Sequence, residues 1–145
     1  MMIVLRLRKV TEADPTRDWV PAEHYDIVFE GEVVGSIQLR LGNTEYMRLY
    51  GGHVGYGIEP QHRGHGYAAA ALKELSSIAQ RHGFQEIWIT CRPDNIASWR
   101  TLEKAGATYE GTVDVPLDSD LYVRGDLQMR RYRLVIGAKE TLPAG

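Results

Sequence analysis

One stretch decides the fold of this chain: Gly55-Tyr-Gly-Ile-Glu-Pro-Gln-His-Arg-Gly-His-Gly-Tyr-Ala-Ala-Ala-Ala-Leu72. Its order predicts the end of a strand, then a tight glycine loop, then the start of a helix. In such a loop several backbone N–H groups point at one place, where the helix dipole is positive. The stretch therefore predicts a seat for phosphate, and the rest of the sequence decides which molecule carries that phosphate.

The sequence before this stretch predicts four strands, because apolar residues alternate with polar ones or β-branched residues cluster. The strands are Ile3–Val10, Tyr25–Glu30, Glu32–Leu41 and His53–Glu59. A glycine turn joins the second strand to the third. Asp14-Pro15 predicts a short helix that Pro21 limits to about two turns. Thr11–His24 is therefore expected to hold little regular structure, and the polar segment Asn43–Gly51 is a candidate second hairpin.

The sequence after the loop predicts two helices and three strands. The first helix is Gly66–His82, with apolar residues near a 3.6-residue period, and the second runs from a cap at Asp94 or Asn95 to Lys104. The strands are Gln85–Cys91, Thr108–Val113 and Leu127–Ile136. The loop Asp114–Asp126 joins the last two strands, and residues 137–145 are expected to form a loose tail.

These elements predict an α/β fold of the α+β kind, a mixed and mostly antiparallel sheet with flanking helices. The crossover from strand through helix to strand makes 52–59 and 85–91 parallel neighbours at the centre. A chain of 145 residues fits one domain, which is expected to occupy residues 1–136.

Composition excludes several functions. The net charge of −2 gives no electrostatic footprint for nucleic acid. No run approaches the ~18 apolar residues of a membrane helix, so neither nucleic acid nor a membrane is an expected partner. Cys91 is the single cysteine, so no internal disulfide forms, and no Cys/His cluster has zinc spacing. We therefore expect no metal and a reduced, cytoplasmic setting.

Three interpretations of Gln61–Ala69 compete. A structural turn needs only the backbone freedom of its glycines. Gly64-x-Gly66-x-x-Ala69 fits a dinucleotide fingerprint, but that fingerprint requires an acidic residue about 20 positions on, at the end of the next strand. Here that strand ends Thr90-Cys91-Arg92. The third interpretation is an acyl-CoA loop, because Gln61-x-x-Gly64-x-Gly66 matches the signature Q/R-x-x-G-x-G/A.

A second block favours the third interpretation. Asp94-Asn-Ile-Ala-Ser98 is followed by Leu102-Glu-Lys-Ala-Gly106, and one helix and one strand separate this block from the loop. With both blocks at this spacing, the chain resembles the GNAT superfamily of N-acetyltransferases from about Tyr25 to Ile136. Many members carry a tyrosine where this chain has Leu102. A serine three residues after Asn95 resembles the branch that acetylates ribosomal-protein N-termini.

The resemblance implies acetyl-CoA as cosubstrate, held along a splayed pair of strands. Gly57 and Ile58 would offer backbone groups to the pantetheine arm, and the amide near Ile58 would polarise the thioester carbonyl. Asn95 would bond the same arm, although a helix cap explains an asparagine there fully. The pyrophosphate would meet the loop and the first helical turn, namely Gln61, His62, Arg63, Gly64, His65, Gly66, Tyr67 and Ala68.

The resemblance also implies roles in proton transfer. Because Leu102 removes the usual general acid, Ser98 becomes the candidate proton donor; a serine bonding back to the helix backbone is the other interpretation. His53 opens the central strand near the place where many members carry a carboxylate base. A histidine titrates close to neutrality, so His53 is the candidate general base, and a buried or edge histidine without a role is the alternative.

The sequence thus predicts an enzyme, an N-acetyltransferase that moves an acetyl group from acetyl-CoA to a primary amine by direct attack in a ternary complex. The acceptor would be a small amine, a peptide or a protein N-terminus. The alternative is a non-catalytic acyl-CoA-binding or regulatory module, since the acceptor region is short. The aspartates of Asp114–Asp126 are candidates to attract a cationic acceptor or are simply solvated. Because dimers are frequent in the family, a homodimer is the implied assembly.

Overall fold

The computed structural model describes residues 1–16 and 20–136. The strands in this part of the chain are β1 (Ile3–Thr11), β2 (Ala22–Phe29), β3 (Glu32–Arg40), β4 (Val54–Ile58), β5 (Glu86–Cys91), β6 (Thr108–Asp114) and β7 (Gln128–Val135). The helices in it are α1 (Tyr67–Arg81), α2 (Ile96–Lys104) and the short α3 (Asp120–Val123), with a π-helical turn at Met47–Gly51 and a 3₁₀ turn at Pro60–His62. None of these helices has the length and apolar character needed to cross a membrane.

The strands form two antiparallel sheets. β1 to β4 pair in chain order, and β7 lies between β5 and β6 in the second sheet. The predicted α+β fold with mostly antiparallel strands and flanking helices is confirmed. The predicted parallel neighbours, β4 and β5, belong to different sheets, and no ladder joins them among the described residues.

α1 packs against the four-stranded sheet through an apolar stripe. Leu72, Leu75 and Ala79 recur at helical spacing, are fully buried and belong to the same core as the strands. Each large aliphatic side chain buried in this way contributes roughly 1.5–3 kcal/mol. The helix stops where predicted, because Gly83 has φ +92° and the Phe84 N–H bonds back to the Ala79 carbonyl oxygen.

The N-terminal connection differs from the prediction. β2 begins at Ala22 rather than Tyr25, because the β1–β2 ladder continues to the Thr11–Ala22 pair. The predicted helix after Asp14 stays a prediction. The Asp14 carboxylate accepts hydrogen bonds from the backbone N–H and the hydroxyl of Thr16, an arrangement that a local turn and a helix N-cap share. Residues 17–19 lie outside the described residues. Thr11–His24 therefore holds more strand than expected.

The predicted second hairpin at Asn43–Gly51 is also wrong. The segment forms the π-helical turn Met47–Gly51 instead. The hydroxyl of Thr44 accepts a hydrogen bond from the Met47 N–H at 3.2 Å, and the Met47 side chain is buried. A capping hydroxyl and one buried anchor are weak local signals, so the helical turn was not evident from the pattern of polar residues.

Residues 137–145, predicted to be a loose tail, lie outside the described residues. The other strand ends agree with the predicted bounds to within one residue.

Candidate active site

β4 and β5 diverge from one point of contact. His53, which directly precedes β4, donates its backbone N–H to the Trp88 carbonyl oxygen at 2.6 Å. Beyond this bond the strands part, and each pairs only on its outer side within the described residues. The space between them is a cleft bounded by two sheet edges, and the structure therefore contains the splayed arrangement that the resemblance implies.

The free edge of β4 carries an alternating set of backbone groups. Two hydrogen bonds frame its pairing with β3, from the Arg40 N–H to the His53 carbonyl and from the Glu59 N–H to the Val34 carbonyl. Antiparallel alternation between them turns the backbone groups of Gly55 and Gly57 toward β3. The N–H and C=O groups of the other three residues of the strand face the cleft, namely Val54, Tyr56 and Ile58.

Gly57 and Ile58 are both predicted to offer backbone groups to the pantetheine arm, but this alternation places only those of Ile58 on the cleft side. The amide of Ile58 is on the free edge, as the predicted role requires. The backbone groups of Gly57 point to β3, so Gly57 does not offer them to a ligand in the cleft. A Cβ on Gly35 would lie 2.3 Å from the Gly57 carbonyl oxygen, so the close backbone approach in this region is between β3 and β4. The β3–β4 register is continuous, without a bulge.

The facing edge of β5 is partly occupied by the same histidine. The Ile136 N–H bonds to the Gln85 carbonyl, and the β5–β7 alternation then turns the backbone groups of Trp88 and Thr90 toward the cleft. The ring Nδ1 of His53 accepts the Trp88 N–H at 2.8 Å, while its main chain bonds the Trp88 carbonyl. His53 thus satisfies both backbone groups of Trp88 at the closed end of the cleft.

The His53 ring has no nitrogen available for catalysis. Because Nδ1 accepts a hydrogen bond, the proton is on Nε2, which lies 3.2 Å from Asn43 Oδ1. The side chain is 1% exposed, and burial, with the charges of Arg48 and Arg40, lowers its pKa to about 4. A buried ring with both nitrogens bonded argues against the predicted role as general base. It matches the alternative of a buried histidine, with a structural role at the start of the splay.

A cavity of about 450 Å³ occupies the cleft where α2 begins. Its wall comes from β4, the end of β5, the first turn of α2 and the β6–β7 loop. The lining residues are Val54, Gly55, Tyr56, Thr90, Cys91, Arg92, Asn95, Ser98, Arg124, Asp126 and Met129. The predicted proton donor Ser98 and the predicted pantetheine ligand Asn95 both face this cavity, and His53 is not among its lining residues.

Two hydroxyl groups and a thiol meet in this cavity. The hydroxyl of Tyr56 lies 2.8 Å from Ser98 Oγ and 3.2 Å from the Ser98 carbonyl oxygen. The thiol of Cys91 is next to Ser98, and burial raises its pKa, which makes it a poor nucleophile. Sequence reasoning missed Tyr56, which reads simply as an aromatic strand residue; its position between two glycines was the one available signal.

Asn95 caps α2. Its Oδ1 accepts the Ser98 N–H at 3.2 Å, so the cap that explains an asparagine here is present. The side chain is exposed and also lines the cavity. The cap uses only the oxygen of the side chain, and the amide nitrogen is a further donor.

The glycine loop ends in an uncapped helix N-terminus. Gly64 and Gly66 have φ values of +86° and +79°, a left-handed conformation that glycine adopts at little cost. α1 begins directly after Gly66 with no side-chain cap and no acidic residue in its first turn. The ammonium group of Lys104, at the end of α2, lies 3.1 Å from where a Cβ on Gly66 would be. Backbone amides and one lysine charge therefore face the same place.

The side chains of the loop are turned to other partners. His62 lies 3.3 Å from the Glu32 carboxylate, and the Arg63 guanidinium donates to the Ile58 carbonyl at 3.1 Å. The rings of His65 and Tyr67 are 5.3 Å apart. The loop therefore presents its backbone rather than its side chains, with the Arg63 charge held close to the end of β4.

Charged residues close the outer wall of the cavity. Asp126 is 6% exposed and pairs with Arg124 at 2.9 Å and with Arg92 at 3.6 Å. The pairs anchor the β6–β7 loop beside β5, so this aspartate is committed to two arginines rather than free to attract a cationic acceptor. Among the described residues no group of three or more His, Cys, Asp and Glu side chains is arranged to hold a metal ion.

The two sheets part beside a glycine loop and a helix N-terminus. This architecture is the one expected of the acyl-CoA-dependent transferases that both sequence blocks indicate. The chain belongs to the GNAT acetyltransferase family: the family model described as Acetyltransferase (GNAT) domain matches residues 8–108. The uncharacterized N-acetyltransferase YnaD of Bacillus subtilis (strain 168) is 28% identical over 98 residues, which cover 62% of this chain and 52% of YnaD.

Two solved structures illustrate the shared fold. The Salmonella typhimurium acetyltransferase that modifies the N-terminal serine of ribosomal protein L7/L12 has a TM-score of 0.61 and 22% identity, covering 80% of this chain and 64% of that one. The microcin C7 self-immunity acetyltransferase MccE, in complex with acetyl-CoA and AMP, has a TM-score of 0.60 and 19% identity, covering 79% and 61%. The chain spans about half the length of YnaD.

Proposed function

We propose that this protein is an acetyl-CoA-dependent N-acetyltransferase, which transfers the acetyl group to a primary amine by direct attack in a ternary complex. One observation carries the proposal: the free edge of β4 leads into a glycine loop whose helix N-terminus is uncapped. Coenzyme A has a matching order of groups, because its amide-rich arm suits a sheet edge and its pyrophosphate suits a helix N-terminus.

The residues that would hold acetyl-CoA follow from this geometry. The cosubstrate supplies an activated acetyl thioester. The N–H and C=O groups of Tyr56 and the N–H of Ile58 would bond the pantetheine arm, with the amide nitrogen of Asn95 on the other side. The amides between Gln61 and Ala68 would meet the pyrophosphate, and Lys104 would add a positive charge there.

Ser98 is the proposed donor to the departing sulfur. It lies at the start of α2 and faces the cavity, where Cys91 already places a sulfur atom beside its hydroxyl. The demand on this donor is modest, since a thiol has a pKa of about 8.5 and a thiolate leaves with little help. Holding the amine next to the thioester supplies most of the remaining acceleration.

The cavity favours an α-amine as acceptor. Attack requires a neutral amine, and among the described residues that line the cavity the one carboxylate, Asp126, is paired with two arginines. An α-amine with a pKa of about 8 is partly neutral near pH 7.5, whereas a lysine amine with a pKa near ~10.4 is almost entirely charged. We therefore propose a peptide or protein N-terminus as acceptor, in accord with the N-terminal serine that the Salmonella relative modifies.

A second candidate function is a non-catalytic acyl-CoA-binding module. The observation in its favour is the burial of His53, which leaves no unpaired base in the described cavity wall. The module and the enzyme share the cofactor site and differ in turnover.

Binding of acetyl-CoA by titration calorimetry and release of free thiol with a panel of amines and N-terminal peptides test the proposal. Gly64→Glu places a carboxylate where the phosphate charge would lie and is expected to weaken acetyl-CoA binding by at least about 100-fold. Gly83→Glu is the matched control, because Gly83 also has a positive φ, +92°, with open space at its Cβ position, and lies beyond the other end of α1. Equal binding by both variants would refute the cofactor site, and binding without turnover would favour the module.

A further inference from the structure

Tyr56 connects two of the elements that line the cavity, β4 and α2. It lies in the middle of β4, and its hydroxyl reaches the first turn of α2, 2.8 Å from Ser98 Oγ and 3.2 Å from the Ser98 carbonyl oxygen. No other hydrogen bond between side-chain hydroxyl groups joins β4 to α2 in the described residues. Tyr56 is partly buried, and it lines the same cavity as Ser98 and Cys91.

The contact has two possible directions of donation. Tyr56 has one proton, which goes either to the Ser98 carbonyl or to Ser98 Oγ. In the first case the Ser98 hydroxyl donates back to Tyr56, and its proton is not available to a sulfur in the cleft. In the second case Ser98 Oγ is the acceptor, and its own proton is free to point at a sulfur in the cleft.

We propose that Tyr56 is a positioning residue for acetyl transfer, whose hydroxyl holds Ser98 Oγ as an acceptor so that the Ser98 proton points at the leaving sulfur. The inference rests on the proposed acetyltransferase function. A thiolate is a stronger acceptor than a neutral hydroxyl, so the negative charge that develops on the sulfur selects the second direction of donation.

In the chemical step neither the Tyr56 hydroxyl nor the Ser98 hydroxyl loses or gains a proton. The amine nitrogen attacks the thioester carbonyl carbon, a carbon–nitrogen bond forms and the carbon–sulfur bond breaks. The sulfur keeps the electron pair and accepts a hydrogen bond from Ser98, while the amine proton passes to water. Thiolate and water then exchange that proton according to the pH.

Tyr56 itself remains protonated throughout. Burial raises its pKa to about 12, well above the value of about 8.5 for a thiol. Proton transfer from Tyr56 to the departing thiolate is therefore unfavourable, and its hydroxyl serves as a fixed donor rather than as an acid. The raised pKa also keeps the donor proton in place across the physiological range.

The test is a double-mutant cycle on thiol release from acetyl-CoA with the best acceptor of the amine panel. Tyr56→Phe removes the hydroxyl and is expected to lower kcat about tenfold, the effect of one hydrogen bond that strengthens during reaction. KM for acetyl-CoA is expected to change by less than about twofold. Ser98→Ala is expected to lower kcat by roughly 10- to 100-fold, because it removes a bond to a charged group.

The double variant is expected to be no slower than Ser98→Ala, because Tyr56 acts through Ser98. Ser98→Thr keeps a hydroxyl at the position, so it is expected to retain most of the turnover and to remain sensitive to Tyr56→Phe. Tyr25→Phe is the control: it also removes a tyrosine hydroxyl bonded at 2.8 Å, to Glu23 on the same strand, and Tyr25 is not among the residues that line the cavity. Its kcat is expected to equal that of the wild type.

Independent, multiplicative losses in the double variant would overturn the positioning role, as would a loss confined to KM. Absence of thiol release by the wild type with every acceptor would overturn the proposed function, and this inference with it. The first outcome leaves acetyl transfer intact, so the two failures are distinguishable.

Discussion

The two ends of β4 are built from different groups. At the closed end a side chain makes the connection, since the His53 ring accepts the Trp88 N–H where another strand would otherwise pair. At the open end most of the available hydrogen-bonding groups are main chain, at the Ile58 N–H and in the loop between Gly64 and Gly66, with the charge of Lys104 beside them. The candidate ligand surface is thus mostly main chain, whereas a buried side chain joins the two strands at the point where they part.

The largest expected effect is at the closed end. His53→Ala leaves the Trp88 N–H buried without a partner and opens a cavity beside Phe84, which now contacts the ring. We expect the free energy of unfolding to fall by about 3–4 kcal/mol, measured by urea denaturation. His53→Asn places an oxygen near the position of Nδ1 and is expected to restore about half of that loss. Equal losses in both variants would mean that the ring contributes by packing rather than by its hydrogen bond.

The second effect is a pH dependence of stability that originates at the same ring. The pKa of His53 is lowered from 6.5 to about 4 in the folded protein, so the unfolded chain binds more protons between these values. The contribution of the neutral His53 ring to the free energy of unfolding is therefore fully present above pH 6.5. It is lost as the pH falls to 4, and the loss is on the order of 3 kcal/mol. The difference between wild type and His53→Asn in this range isolates the contribution of His53 from those of other groups. A constant difference from pH 7 to pH 4 would contradict the burial of a neutral ring.

The third effect is at the open end and concerns binding rather than stability. Lys104→Met removes the charge near Gly66 but keeps most of the length of the side chain. We expect the Kd for acetyl-CoA to rise about fivefold at low salt, and less at high salt, because exposed charges are screened. Lys73→Met, on the exposed surface of α1, is the matched control. A salt-independent effect would mean that Lys104 contributes contacts other than charge.

The smallest expected effect tests whether acetyl-CoA contacts the backbone of the glycine loop rather than its side chains. His62→Ala removes the contact with Glu32 at 3.3 Å, which is a surface pair worth about 0–1 kcal/mol. We expect a Kd for acetyl-CoA within about twofold of the wild type, measured by titration calorimetry. A tenfold loss would assign a direct ligand role to the imidazole and weaken the distinction between a backbone surface and a side-chain surface.

The same distinction explains what the sequence could predict. The loop and the cap at Asn95 depend on residues close together in the chain, such as Gly64 and Gly66, and their backbone requirements leave a local signal. The pairing of His53 with Trp88 joins positions 35 residues apart and has no such signal. The residue type suggests a catalytic role for His53, because a histidine titrates near neutrality. Burial changes that property, and the sequence does not show which histidines are buried.

Tyr56 was missed for the same reason. Its bond to Ser98 spans 42 residues, so the two hydroxyls meet through the tertiary fold and leave no local signal in the sequence. The helical turn at Met47–Gly51 likewise depends on contacts with distant strands, through the Thr90 hydroxyl and the Arg131 guanidinium. Such long-range contacts leave no local signal in the sequence, which is why the glycine loop and the helix cap could be predicted more fully than the walls of the cavity.

The composition of β4 has one more consequence. A short strand with an unpaired edge is a template for another strand, and two such edges face each other across this cleft. Gly55 and Gly57 make β4 a weak β-former, since glycine loses more backbone entropy on ordering and brings no side chain to a neighbouring strand. The free edge of β4 is therefore poorly suited to pair with another strand, and its backbone groups are better suited to an extended ligand that carries its own amide groups.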